Sequence, residues 1–184
     1  MELSFALEQE LIARARAGDE NAFEQLVRAF TPGLFRVVRR MSADTGEAEA
    51  IIQETFWRVW RALPRYQGDR RFLPYLVTIA VNLLRDTWRK SRRTLADEFE
   101  AIPDRVDESP SPEMQMIEAE LSDTLVKAVE RLPTLYRTVI ALRYDAGLSY
   151  EGIAAAMDLP LNTVRTYLHR AKLALQKSLE ESDE

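Results

Sequence analysis

Residues 148–175 read LSYEGIAAAMDLPLNTVRTYLHRAKLAL and predict two helices joined by a tight turn. Ser149 is a favourable N-cap for the first helix, because its hydroxyl can accept a hydrogen bond from a backbone N–H of the first turn. Asp158-Leu159-Pro160 should end that helix, and Asn162 is expected to cap the longer second helix. The expected inward-facing residues of the first helix are Ile153, Ala154 and Met157. A short helix, a tight turn and a longer helix together predict a helix-turn-helix.

The second helix of this motif has an apolar face and a basic face. Its inward residues are expected to be Val164, Leu168, Ala171 and Leu175. Its outward residues are expected to be Thr163, Arg165, Thr166, His169, Arg170 and Lys172. Arginine can grip a guanine edge with two hydrogen bonds, threonine offers a hydroxyl and a methyl group, and the first turn enters the major groove deepest. We therefore expect Thr163, Arg165 and Thr166 to read bases, and Arg170 and Lys172 to hold phosphates; a generic helical hairpin is the alternative.

Composition argues against an enzyme and against a bound metal or cofactor. His169 is the only histidine and the chain has no cysteine, which rules out disulfides and thiolate metal sites. No paired acid and base, glycine-rich phosphate loop or metal-ligand spacing is recognisable. We expect His169 to be a polar contact rather than a catalyst, and we expect no catalytic residue, no metal and no cofactor.

Working outward from the motif, apolar residues recur at helical spacing through most of the chain and predict an all-α fold. Two helices should precede the motif, one ended by Pro133 and one ended by Gly147. Their apolar positions are Ile117, Leu121, Leu125, Ala128 and Leu132, then Leu135, Val139, Ile140 and Tyr144. Further helices fill the amino-terminal half, where Gly18 stops the first, Asp19 can cap the second, and Pro32 is expected to bend or break the second. Their apolar positions are Leu7, Leu11, Ile12, Phe23, Leu26, Val27, Phe30, Leu34, Val37, Val38, Met41, Ala48, Ile51, Ile52, Thr55, Phe56, Val59 and Leu63.

The charge distribution divides the chain into three parts. Net charge is −5, yet residues 1–93 hold 16 basic against 12 acidic residues, residues 94–113 hold 1 against 7, and residues 114–184 hold 8 against 11. The middle part contains three prolines and no helical periodicity, which predicts a flexible acidic linker between two small helical domains, 1–93 and 114–184. The linker is either a solvated tether or a phosphate mimic that suppresses non-specific nucleic-acid binding.

The last helix of the first domain carries a polar stripe beside its apolar face. Leu76, Ile79, Ala80, Leu83 and Thr87 fall on the core side at 100° per residue. The stripe consists of Tyr75, Thr78, Asn82, Arg85, Arg89 and Arg93, with Lys90 nearby. Aromatic rings stack on unpaired bases, amides and hydroxyls hydrogen-bond them, and cations neutralise phosphates, so the stripe suits a single strand. The alternative is a solvated basic helix end that complements the macrodipole.

The preceding helix presents a polar outer surface with a large aromatic side chain. These outer residues are Glu49, Gln53, Glu54, Trp57, Arg58 and Arg61. An exposed Trp beside charges is typical of a protein interface. The alternative is that Trp57 and Trp60 simply cover the edge of the bundle.

The sequence gives no indication of export or membrane insertion. Met1 to Arg16 carries three glutamates and lacks a basic start followed by an apolar run, so no secretory signal is expected. Charges interrupt every apolar segment before the roughly 18 residues that a spanning helix needs. We expect a cytoplasmic protein.

With these features together, the chain resembles a bacterial RNA polymerase sigma factor of the extracytoplasmic function group of the sigma-70 family. LIARARAGDENAFEQLVRAFTPGLFRVVRR (11–40), EAEAIIQETFWRVWRALPRYQG (47–68) and FLPYLVTIAVNLLRDTWRKSRR (72–93) are similar to sigma region two. LPTLYRTVIALRYDAGLSYEGIAAAMDLPLNTVRTYLHRAKLAL (132–175) is similar to region four. The family often has Gly where this chain has Asp158; Asp tolerates the left-handed conformation better than most residues, so we expect the turn to form.

The resemblance implies binding to core RNA polymerase and to promoter DNA. It implies that the outer surface around Trp57 binds the clamp helices of the β′ subunit. It also implies a second contact with the β flap and a path for the acidic linker toward the RNA exit. It implies that the 66–72 loop and the helix bearing Asn82 recognise the minus-ten element and capture a flipped base. The minus-ten residues are Tyr66, Gln67, Gly68, Arg70, Arg71, Phe72, Tyr75, Thr78, Asn82, Arg85, Arg89 and Lys90. It implies that the helix after Asn162 reads the minus-thirty-five element as duplex.

The expected function is therefore that of an alternative sigma factor, which gives core polymerase promoter specificity and promotes strand opening. An anti-sigma factor is a further expected partner. The alternative is an autonomous helix-turn-helix regulator that acts without polymerase, against which the exposed Trp57 and the single-strand stripe argue.

Overall fold

A computed structural model describes residues 3–42, 44–66, 71–90 and 123–180. In these ranges the chain forms eight α-helices and no strand, which confirms the predicted all-α class. The helices are α1 (Phe5–Arg16), α2 (Glu20–Met41), α3 (Thr45–Ala62), α4 (Phe72–Lys90), α5 (Asp123–Glu130), α6 (Thr134–Ile140), α7 (Tyr150–Met157) and α8 (Leu161–Glu180). A short 3₁₀ turn, Leu63–Arg65, follows α3, and a π-helical turn, Ala141–Asp145, extends α6.

Side-chain caps set the starts of the first three helices. Ser4, Asp19 and Asp44 each accept a hydrogen bond from a first-turn N–H, at 3.3, 3.0 and 2.8 Å. Gly18 has a φ of +94°, which a residue with a side chain rarely adopts, so it ends α1 as expected. Burial confirms most of the apolar pattern, but Leu7 is exposed, and Phe23, Val27 and Phe30 are half-buried.

Of the two expected effects of Pro32, to bend or to break the second helix, the break is wrong. Helix α2 runs without interruption from Glu20 to Met41, with Pro32 in its interior. Pro32 cannot donate an N–H to the carbonyl of Arg28, four residues earlier, and the Thr31 hydroxyl bonds the neighbouring carbonyl of Val27, at 2.7 Å, rather than that one. Both halves of α2 are also anchored, since Leu26 and Leu34 are fully buried.

Helices α1–α4 form the amino-terminal bundle. Helix α2 packs against α1, α3 and α4, and α3 packs against α4. The predicted core side of α4 is confirmed at Leu76, Ala80 and Leu83. Three further α4 residues are also fully buried: Val77, Val81 and Leu84. Helix α4 therefore buries a wider arc than a helix that packs on one side only.

Helices α5–α8 form the carboxy-terminal bundle, in which α8 packs against α5, α6 and α7. Ser149 caps α7 by accepting the N–H of Gly152 at 3.0 Å, as expected. Asn162 does not cap α8, because the helix already begins at Leu161 and Val164 donates its N–H to the carbonyl of Pro160 at 3.2 Å. Tyr144 is exposed rather than part of the apolar stripe, because the π-helical turn changes the spacing there.

The two bundles pack against each other. Helix α2 contacts α6 and the π-helical turn, and α4 contacts α7. Arg40 of α2 lies 3.3 Å from the Asp145 carboxylate, with both side chains largely buried. The contact combines an apolar core with at least one ion pair.

Several predictions lie outside the described residues: the linker 94–113, the loop positions Gln67, Gly68 and Arg70, and the stripe position Arg93. The same is true of the helical positions Ile117 and Leu121 and of the side chains of Arg89 and Lys90. The domain boundaries remain predictions. In the part of the chain that the structure describes, no helix combines the length and apolar character needed to cross a membrane.

Candidate nucleic-acid interface

The polar stripe of α4 lies at the surface of the amino-terminal bundle. Asn82 is exposed, whereas Tyr75, Thr78 and Arg85 are half-buried. The Thr78 hydroxyl donates to the carbonyl of Pro74 at 2.8 Å, which leaves its methyl group and an oxygen lone pair for a ligand. We call Tyr66, Tyr75, Thr78, Asn82 and Arg85 the α4 face.

Two tyrosine rings lie side by side at the start of this face. The ring centres of Tyr66 and Tyr75 are 4.5 Å apart with an interplanar angle of 32°. Burial raises the pKa of the Tyr75 hydroxyl above its ordinary value. An adjacent, partly exposed pair of rings can stack on unpaired bases.

The expectation that Phe72 contacts DNA does not fit its position. Its side chain is fully buried and packs against Phe30 and Tyr66, with ring centres 5.3 and 5.8 Å away. An apolar ring at the first position of α4 gains more from the core than from solvent. Phe72 packs against the tyrosine pair from the core side, and its ring is not accessible to a base.

Arg85 is held by the carboxy-terminal bundle. Its guanidinium donates to the carbonyl of Ala156 at 3.2 Å and to the Asp158 carboxylate at 3.3 Å. Both partners lie at the turn of the helix-turn-helix. Sequence reasoning missed this contact, because no local pattern links residues more than 70 positions apart.

Arg71 lies at the edge of the α4 face, where two residues of α1 support it. Its guanidinium lies 5.4 Å from the centre of the Phe5 ring and 3.9 Å from a carboxylate oxygen of Glu8. Glu8 also accepts the backbone N–H of Phe72 at 2.7 Å. Sequence reasoning missed Glu8, although a charged residue one turn before Leu11 and Ile12, on the apolar face of α1, is a usable signal.

The outward face of α8 forms a second polar surface. Arg165 and His169 are exposed, and Thr163, Thr166, Arg170 and Lys172 are half-buried, which agrees with the predicted outward positions. Val164, Leu168 and Ala171 are buried on the opposite side. Asn162 accepts from Arg165 at 3.4 Å and from the Thr166 hydroxyl, through its carbonyl, at 2.9 Å. We call the six outward residues the α8 face.

The turn before α8 has the backbone geometry that the sequence requires. Asp158 has φ 57° and ψ 47°, the left-handed conformation expected there. Its N–H donates to the carbonyl of Ala154, which closes the end of α7. The turn thereby fixes the start of α8 relative to α7.

A third polar surface lies on α3. Trp57 is 53% exposed, and the Arg61 guanidinium lies 4.6 Å from the centre of its ring. Glu54 and Arg58 form an ion pair at 2.7 Å one turn away. Trp60 instead packs against Phe23, with ring centres 4.7 Å apart. The α3 face comprises Glu49, Gln53, Glu54, Trp57, Arg58 and Arg61, none of which is buried.

Comparisons with known proteins identify the family. Residues 26–94 match the Sigma-70 region 2 family, and residues 122–175 match the Sigma-70, region 4 family. The chain is 33% identical over 181 residues to the RNA polymerase sigma-H factor of Pseudomonas aeruginosa, with 94% of each chain covered. It is 34% identical over 181 residues to the ECF RNA polymerase sigma-E factor of Escherichia coli K12, again with 94% of each chain covered.

Solved structures with a similar fold include CnrH in complex with the cytosolic domain of CnrY. That match has a TM-score of 0.61 and 25% identity, and covers 97% of this chain and 99% of the other. The sigma factor RpoE in complex with the anti-sigma factor NepR from Bartonella quintana gives a TM-score of 0.61 at 24% identity, covering 86% and 96%.

The two family matches fall on the two helical bundles, and the curated relatives align along nearly the whole chain. The protein therefore belongs to the extracytoplasmic function group of the sigma-70 family and is an alternative sigma factor that works with RNA polymerase.

Proposed function

We propose that the protein binds core RNA polymerase through the α3 face, holds a separated promoter strand on the α4 face and reads duplex DNA with the α8 face. Residues 1–93 carry the first two activities and residues 114–184 the third. The observation that carries the proposal is that Asn82 is exposed on the same side of α4 as Tyr75, two turns further along the helix, on a bundle distinct from the one that presents Arg165.

The α4 face suits the minus-ten element in its opened form. Unstacking a base costs a few kcal/mol, and stacking on an aromatic side chain returns roughly 1–3 kcal/mol per base. The tyrosine pair and the exposed Asn82 amide can together offset most of this cost once polymerase holds the duplex nearby. Binding free energy then drives strand opening, with no covalent step.

The α8 face suits the minus-thirty-five element as a duplex. Arg165 is exposed in the first turn of α8, between the half-buried Thr163 and Thr166. These residue types recognise base edges in the major groove. Arg170 and Lys172, further along the helix, hold the phosphate backbone.

The α3 face suits polymerase. Trp57 presents a large aromatic surface next to the Arg61 guanidinium, and such residues dominate protein interfaces. The β′ clamp helices are the proposed partner. The β flap would hold the carboxy-terminal bundle.

Use of both DNA faces at once requires the bundles to separate. Elements about 25 base pairs apart lie about 85 Å apart on straight duplex DNA, at 3.4 Å per base pair. A compact chain of this length has a radius of gyration of about 16 Å. The contact between Arg85 and Asp158 must therefore break when polymerase and promoter are bound.

An anti-sigma factor is a further proposed partner. The structurally similar RpoE is bound to the anti-sigma factor NepR in its crystal. Affinity capture of the full-length chain from a native lysate of its source should recover such a protein beside polymerase. Recovery of polymerase subunits alone would count against it.

Reconstituted transcription tests the proposed function. Purified protein mixed with core polymerase should co-elute on size exclusion, and the mixture should yield run-off transcripts from a subset of a promoter library. Core polymerase alone should yield none of these. Failure to co-elute, combined with specific duplex binding by the free protein, would instead support the autonomous regulator.

A further inference from the structure

Glu8 is a buried carboxylate whose hydrogen bond reaches across the amino-terminal bundle. Its side chain is 2% exposed, although the helix that carries it lies at the edge of the bundle. One oxygen accepts the N–H of Phe72 at 2.7 Å, and the other lies 3.9 Å from the Arg71 guanidinium. Its two polar partners are therefore consecutive residues, 63 and 64 positions away in sequence.

These partners lie at the start of α4, where a helix has free N–H groups and a partial positive charge. Arg71, the residue before the helix, has only donors in its side chain and cannot accept those N–H groups. Glu8 supplies the missing acceptor and a negative charge from another helix. It thereby fixes the point at which the chain enters α4.

A packing role alone does not account for a carboxylate here. An ionised group removed from water is costly unless nearby donors and cations compensate it, and an apolar side chain would fill the same space without that cost. The groups that compensate Glu8 are Arg71 and the Phe72 N–H. Its charge therefore acts on the two residues that border the α4 face.

Phe72 carries this restraint to the tyrosine pair. Its ring centre lies 5.8 Å from that of Tyr66 and 6.0 Å from that of Tyr75. The Arg71 guanidinium lies between Glu8 and the Phe5 ring, with the arginine side chain 63% exposed. Movement of the Phe72 backbone would shift both tyrosine rings and the Arg71 guanidinium together.

We propose that Glu8 is a positioning residue for the minus-ten strand. From α1 it holds Arg71 and Phe72 so that Arg71, Tyr66 and Tyr75 are aligned before DNA arrives. Glu8 itself does not touch the strand. This inference rests on the proposed function of the α4 face.

Two variants and a control test the proposal. Glu8→Gln keeps the shape of the side chain and an acceptor oxygen but removes the negative charge that faces Arg71. Glu8→Ala removes the acceptor oxygen as well as the charge. Glu10→Gln is the control, because Glu10 is exposed on the same helix and its ion-pair partner, Arg14 at 3.9 Å, belongs to α1 rather than to the start of α4. Each full-length variant is assembled with core polymerase.

The probe is a single-stranded oligonucleotide with the non-template minus-ten element of a promoter that the wild-type holoenzyme transcribes. Copies of it lack one base at a time. The quantity measured is the affinity for the intact strand divided by the affinity for the abasic copy that wild type binds most weakly. A partly unfolded sample lowers both affinities alike and leaves this ratio unchanged.

The ratio should fall severalfold in Glu8→Gln and about tenfold in Glu8→Ala, as loss of a hydrogen bond to a charged group predicts, and stay at the wild-type value in Glu10→Gln. Binding to core polymerase and to a minus-thirty-five duplex should stay within about twofold of wild type in all three. Unchanged ratios in both Glu8 variants would overturn the inference, as would equal losses in strand, duplex and polymerase binding. A wild-type protein that does not distinguish intact from abasic strands would refute the function of the α4 face itself.

Discussion

Trp57 and Trp60 are three residues apart on α3, yet their side chains have opposite environments. Trp60 packs on Phe23 within the bundle, whereas Trp57 is exposed under the Arg61 guanidinium. The sequence left open whether both rings simply cover the bundle edge. The answer depends on where the α2 side chains lie, which helical periodicity alone does not specify.

Replacement of Trp57 by Ala should weaken binding to core polymerase by about 2 kcal/mol or more, as an interface hot spot does. This variant should lose less thermal stability than Trp60→Ala, because Trp57 is 53% exposed whereas Trp60 packs on Phe23 within the bundle. Fluorescence anisotropy with core polymerase and thermal melting measure the two effects. Trp60→Ala is the matched control and should lower the melting temperature; equal losses of polymerase affinity in both variants would contradict the assignment.

Residue patterns predict exposure well where one helix face decides it and poorly where tertiary contacts do. Asn82 and Arg165 are exposed as expected, since both lie opposite apolar stripes. Phe72 was expected to contact DNA, but it is buried because it meets Phe30 of α2. Glu8 was missed because its partners belong to α4.

At the scale of the element, the turn between α7 and α8 shows how one backbone angle sets a motif. Asp158 has a positive φ, and Ser149 caps the other end of α7. Both features follow from local chemistry, so the sequence could predict them. The uninterrupted α2 and the wide buried arc of α4 could not be predicted, because they depend on neighbouring helices from both bundles.

Substitutions at Asp158 should separate backbone conformation from side-chain contact. A β-branched residue resists the left-handed conformation, which costs roughly 1–2 kcal/mol for an ordinary L-residue, whereas Gly adopts it freely. Asp158→Val should therefore melt several degrees below Asp158→Gly, at about 2–4 °C per kcal/mol. Both variants lose the carboxylate that contacts Arg85, so loss of that ion pair does not contribute to the difference between them. Equal melting temperatures in calorimetry would count against a conformational role.

On the scale of the whole molecule, the packed bundles leave the two faces proposed to bind DNA unequally accessible. Arg85 of the α4 face is bound to the turn of the helix-turn-helix, whereas Arg165 and His169 of the α8 face are exposed. The free protein should thus be able to contact duplex DNA before it can hold a separated strand. If polymerase binds the α3 face as proposed, it should favour the separated arrangement.

We call the packing of the two bundles against each other closure. The buried Asp145 should make closure depend on pH. Burial raises the pKa of its carboxyl above the ordinary value, and the positive charges of Arg40 and Arg36 only partly oppose this. The Asp145 carboxyl therefore takes up a proton more readily when the bundles are packed. Closure should be strongest below the ordinary Asp pKa of about 3.9 and weaken as pH rises through the raised pKa of Asp145. Asp145→Asn is neutral throughout and should abolish this dependence.

Energy transfer between dyes measures closure directly. The chain has no cysteine, so Ala17→Cys and Gln176→Cys, both at exposed positions, give two labelling sites. Transfer should rise as pH falls from 7 toward 4 in the Asp145 protein and stay flat in Asp145→Asn, with circular dichroism confirming intact helices. Equal pH profiles in the two proteins would exclude Asp145 as the cause.

The division of labour between the two bundles is tested most directly by Asn82→Ala and Arg165→Ala in reconstituted holoenzyme, scored for duplex binding and for permanganate reactivity of unpaired thymines. Asn82→Ala should reduce strand opening with little change in duplex binding. Arg165→Ala should weaken duplex binding by roughly 1–3 kcal/mol, as loss of a bidentate base contact does. Once bound at saturating concentration, it should open the promoter normally. If both substitutions impair both steps to the same degree, the separate roles of the α4 and α8 faces are contradicted.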